Sequence, residues 1–119
     1  MGIKLSGPFP LPLITRHVDG RMFELMAPYK YIRDNGEIID VPEGFFFDWA
    51  SIPRCLWSIV GAPTGKYGPA ALVHDFLCMH ATWPRAKTDK IFLEALRDCG
   101  VYYLKRKMMY YAVRVYSFF

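Results

Sequence analysis

The sequence predicts an α+β fold: a small antiparallel sheet from the N-terminal half packed against three to four C-terminal helices. Three observations carry this. Two hairpin signals, Val18-Asp19-Gly20-Arg21 and Arg33-Asp34-Asn35-Gly36, lie early in the chain; Asp-Gly and Asn-Gly supply the positive φ values that tight turns between twisted strands require. After Asp48 the apolar residues recur at steps of three and four, the period of a helix. The chain of 119 residues is 53% hydrophobic and 17% aromatic, which excludes disorder and suits one domain, β-rich over 1–48 and helical over 51–119.

Strands are expected over Leu13 to His17, Met22 to Tyr31 and Glu37 to Val41, with a short fourth over Gly44 to Phe47. Ala27-Pro28 inside the second run implies an edge position or a bulge, because proline donates nothing to a ladder. Ser51-Ile52-Pro53 reads as a helix start, with Ser51 placed to cap and proline in the first turn, leading into Arg54 to Val60. A loop from Gly61 to Gly68 follows. Its Gly65-Lys66 lacks both the spacing and the Ser or Thr of a phosphate loop.

In the next helix, Pro69 to His80, the stretch Ala70 to Met79 holds only two polar side chains, His74 and Asp75. Burying a carboxylate without partners costs several kcal/mol, so cations, hydrogen-bond donors or a metal must meet the pair inside the fold. A third helix spans Ala86 to Cys99 and ends at Gly100, with Asp89, Phe92, Leu93 and Leu96 on its apolar face. The last helix sets Val101, Leu104, Met108, Tyr111, Val115 and Phe118 on one stripe, with Lys105, Arg106, Lys107 and Arg114 mostly opposite. Its charges argue against a membrane span.

A formal charge of +4 and a pI near 9.0 leave a mildly basic surface, which by itself selects no partner. Cys55, Cys78 and Cys99 form no Cys-x-x-Cys unit, so they read as packed free thiols of a reducing compartment. No export signal is visible, and Pro8, Pro10 and Pro12 interrupt any leader helix.

The blocks Phe46-Phe47-Asp48-Trp49-Ala50-Ser51-Ile52-Pro53-Arg54 and Ala70-Ala71-Leu72-Val73-His74-Asp75-Phe76-Leu77, then Arg85 with Asp89, Phe92 and Met108 to Arg114, resemble the DUF1353 family. The resemblance covers about Val41 to Arg114. It implies a bacteriophage or prophage protein, in the host cytoplasm or the virion, and supplies no reaction. The family usually has Thr before the Asp of the first block. Phe47 stands there instead, which alters any site in which that Thr oriented the carboxylate.

Two classes of function follow from the polar residues. In the first, Asp48, His74 and Asp89 bind a divalent metal (Zn, Mn or Fe), His74 and Asp75 are the catalytic pair, and Ser51, Arg54 and Arg85 support them, giving a metal-assisted hydrolase of cell wall or another anionic polymer. In the second, Arg54 and Arg85 pair with the carboxylates in a structural network, and the chain is a non-enzymatic virion component of tail or baseplate, or an interaction protein. Trp83, Tyr102, Tyr103, Tyr110, Tyr116 and Phe119 then supply contacts to phage structural proteins or to a homo-oligomer. A third reading is a host-defence antagonist that binds a nucleotide or protein. Nucleic acid is not an expected partner, no transmembrane segment is expected, and the last helix is the one surface suited to touch a membrane.

Overall fold

The computed structural model describes residues 7–20, 22–48 and 66–117. The chain divides into two compact units, Met1–Asp48 and Trp49–Phe119. The division falls where the sequence changes from strand to helix. The predicted helix over Arg54 to Val60, with Ser51 as its cap, lies outside the described residues, as do Cys55 and Phe118.

The first unit holds β1 (Thr15–Asp19), β2 (Met22–Leu25), β3 (Tyr29–Ile32), β4 (Ile38–Val41) and β5 (Phe46–Phe47). They form two antiparallel sheets, β1-β2-β5 and β3-β4. Both glycine turns are realised, with Gly20 at φ 54° and Gly36 at φ 90°. The second is tied by Gly36 N–H to Arg33 O at 2.9 Å and by Glu37 N–H to Asn35 Oδ1 at 2.9 Å. Asn and Gly are needed there because the turn demands a left-handed residue and a local side-chain acceptor.

The single strand expected over Met22 to Tyr31 is instead two strands, and they belong to different sheets. Pro28 explains the break: it has no N–H for a ladder and it restricts Ala27 before it. On β3 and β4 the buried side chains alternate, pairing Tyr29 with Val41 and Tyr31 with Ile39 across the strands. Phe9 stacks on the Tyr31 ring at 4.8 Å and the Tyr29 ring at 6.0 Å, closing that apolar face. Phe47 is buried and stacks with Phe23 and Phe45. Its place in the first block is therefore a packing position.

The second unit holds α1 (Gly68–His80), α2 (Arg85–Asp98) and α3 (Tyr103–Tyr116), with α2 packed against both others. Gly68, Ala70 and Ala71 are buried on α1, where small side chains permit close approach. α2 buries Thr88, Ile91, Phe92, Ala95 and Leu96 at helical spacing. It ends as the sequence predicts: Gly100 sits at φ 84°, its N–H bonds Arg97 O at 2.9 Å, and Val101 N–H bonds Leu96 O at 3.1 Å. That pairing satisfies the last carbonyls of the helix and brings Val101 over Leu96.

α3 departs from expectation. Its buried residues are Met109 and Val113, while Leu104, Met108, Tyr111 and Val115 are exposed. The helix is turned so that the predicted apolar stripe faces outward, and the reason lies in the polar centre of the unit. Arg114 reaches inward to Asp89. Turning the stripe inward would withdraw that cation and strand a buried carboxylate, a loss of several kcal/mol.

Candidate functional site

The polar centre is built on Asp89 of α2. Its position on the apolar face follows from spacing with Phe92 and Leu96, and both His74 and Asp89 are 0% exposed. His74 Nε2 lies 2.6 Å from Asp89 Oδ1, Arg85 Nε donates to the same oxygen at 2.9 Å, and Arg114 Nη1 donates to Oδ2 at 2.8 Å. Arg85 is four residues earlier on the same helix, the spacing that sets two side chains on one face. The carboxylate thus gathers donors from all three described helices of the unit.

Electrostatics fix the protonation states. Burial alone would raise the Asp89 carboxyl, but the hydrogen bonds from His74, Arg114 and Arg85 outweigh it and hold the pKa at about 2. An ionised carboxylate only accepts, so His74 Nε2 carries the proton of that bond. Burial pushes His74 below its ordinary 6.5, and this exceeds the opposing hydrogen bond and charge of Asp89. The imidazole is therefore neutral at pH 7, with Nδ1 as an acceptor. His74 also packs on the Phe92 ring, centroids 4.5 Å apart.

Cys78, one turn after His74, places Sγ 3.7 Å from Nε2 and 4.0 Å from Nδ1. Near-equal distances put the sulfur off the axis of either nitrogen, so this is not the in-line thiol–imidazole geometry of an activated nucleophile. Burial, aided by the charges of Asp75 and Asp89 against that of Arg85, pushes the thiol up to about 12. The sulfur behaves as a small apolar group.

Of the predicted site residues, the structure brings together His74, Asp89 and Arg85. Asp75 is buried on α1, about 100° around the helix axis from His74. Asp48 closes the first unit just after β5, where it lines a shallow hollow with Val18, Asp19 and Met22. Ser51 and Arg54 lie outside the described residues. Sequence reasoning missed Arg114, which it set on the solvent side of the last helix. The available signal was a count of charges: three carboxylates and an imidazole expected inside needed more cations than Arg54 and Arg85 supply.

A family model described as "Protein of unknown function (DUF1353)" matches residues 23–113. The chain belongs to the DUF1353 family. The match starts within β2, well before the first motif block, so strands and helices alike are part of the family pattern. Two relatives come from Sinorhizobium fredii. The uncharacterized protein y4jT is 38% identical over 97 residues, which is 81% of this chain and 29% of that protein. The uncharacterized protein y4iH is 32% identical over 94 residues, which is 78% of this chain and 39% of that protein. This DUF1353 chain thus spans about a third of the length of the curated relatives it matches. No solved structure matches it. Among the described residues no helix is long and apolar enough to cross a membrane.

Proposed function

We propose that this DUF1353 chain is a non-enzymatic interaction domain, in which the buried network of His74, Asp89, Arg85 and Arg114 locks the three helices and leaves α3 to present its outer face to a partner. The partners of Asp89 support this reading: three protein donors already hold a wholly buried carboxylate, two of them guanidinium groups. A divalent cation at Asp89 would sit beside two positive charges. A tail or baseplate component is one form of this reading, and finding the chain by mass spectrometry in purified phage particles would support that form.

One observation favours the alternative, a metal-assisted hydrolase of an anionic polymer with Asp48, His74 and Asp89 as ligands and Asp75 as base. Arg85 Nη2 is buried with no hydrogen-bond acceptor among the described residues, a donor suited to an anionic substrate group, beside an imidazole held neutral as a metal ligand must be. Elemental analysis of protein purified without an affinity tag separates the two. The interaction reading predicts Zn, Mn and Fe all well below one per chain. Stoichiometric metal that is lost in His74→Ala and Asp48→Ala would overturn it.

A further inference from the structure

The outward stripe of α3 has the geometry of one half of a coiled coil. Leu104, Met108, Tyr111 and Val115 follow steps of four, three and four, and each is between 41% and 70% exposed. At 100° per residue they fall within about 60° of arc, with Tyr103 and Tyr116 exposed on either side of that seam. Together they expose roughly 400 Å² of mostly apolar surface, the size of the largest patch on a typical monomer. The stripe lies opposite the buried Met109 and Val113.

Charge decides what fits there. In a heptad register with Met108 and Val115 at a and Leu104 and Tyr111 at d, Lys107 takes g and Lys105 takes e, the positions that choose partners. Lys107 Nζ is 5.7 Å from the rings of both Tyr103 and Tyr111, which hold the ammonium beside the seam. No Asp or Glu occurs anywhere in the helix Tyr103–Tyr116. A second copy of α3 would bring more lysines and no acid. An anionic bilayer shares the charge preference, and flotation on vesicles distinguishes it from a helical partner.

We infer that α3 docks an acidic amphipathic helix of a partner protein, apolar at a and d and carrying Glu or Asp at e and g. This rests on the interaction reading above and names the class of partner. The test uses the full chain and two labelled synthetic peptides of three heptads, both with Leu at a and d, one with Glu and one with Lys at e and g. Binding is followed by fluorescence anisotropy. The Glu peptide is expected to bind and the Lys peptide at least tenfold more weakly. Lys105→Glu with Lys107→Glu should invert that preference, and Leu104→Ser with Tyr111→Ser should abolish both signals, with circular dichroism confirming that each variant folds.

Equal binding of the two peptides, or none of the Glu peptide, overturns the inference. So does a wild-type dimer in sedimentation that Leu104→Ser dissociates, or flotation on phosphatidylglycerol vesicles that the same substitution abolishes. Should the peptides fail while the protein holds no metal, the partner class falls and the interaction reading stands. Stoichiometric metal removes the reading itself.

Discussion

Asp89 shows why a buried ion is tolerated only in company. Its carboxylate has lost its water, and three donors return enough hydrogen bonding to hold the pKa at about 2 against an ordinary 3.8. A folded pKa below the unfolded one adds stability above pH 3.8 that disappears as pH falls toward 2, about 2 kcal/mol in all. His74 works in the same direction from a higher pH. Buried neutral, it lets the unfolded state gain protons first once pH drops below 6.5. Urea midpoints measured from pH 8 to pH 2 should therefore be level near neutrality, begin to fall below about 6.5 and fall further through the carboxylate range. In His74→Gln the upper decline should vanish while the lower one remains. Cys78, its thiol pushed up to about 12, should resist iodoacetamide at pH 7.5 in the folded protein and react quickly in urea, as peptide mass spectrometry would show.

At the scale of elements, the sequence was most legible where a backbone conformation demanded a residue type. Asn35-Gly36 marked its turn because few residues tolerate positive φ, and Gly100 marked the end of α2 for the same reason. A Cβ at Gly100 would meet only the flexible end of Lys66 at 3.2 Å, so Gly100→Ala should cost about 1–2 kcal/mol through φ alone. Thermal unfolding would measure it. The strand through Pro28 was half legible: proline announced an interruption but not that the chain would change sheets. α3 was misread because two of its faces carry apolar residues, and a hydrophobic pattern does not say which face also serves a buried carboxylate on the preceding helix. Leu104→Ser should leave stability within about 0.5 kcal/mol of wild type, whereas Met109→Ala should lose about 2–5 kcal/mol. Equal losses in urea titrations of the two would contradict the observed rotation of the helix.

For the whole molecule, the strand-to-helix change near Asp48 was readable from composition and marks the boundary between the two compact units. The candidate site was readable in part. His74 and Asp89 stood out because polar groups on apolar faces must be satisfied by something, but the identity of that something depended on how three helices meet. Arg114 is 25 residues from Asp89 in sequence and no local pattern links them. In this chain the residues around Asp89 tie three helices to one buried charge. Urea unfolding of Asp89→Asn against wild type at pH 7.5, followed by far-ultraviolet circular dichroism, tests this most directly. The account predicts a loss of about 3–5 kcal/mol, since removing the anion leaves two guanidinium groups facing a neutral amide. An unchanged midpoint with an unchanged slope would contradict it.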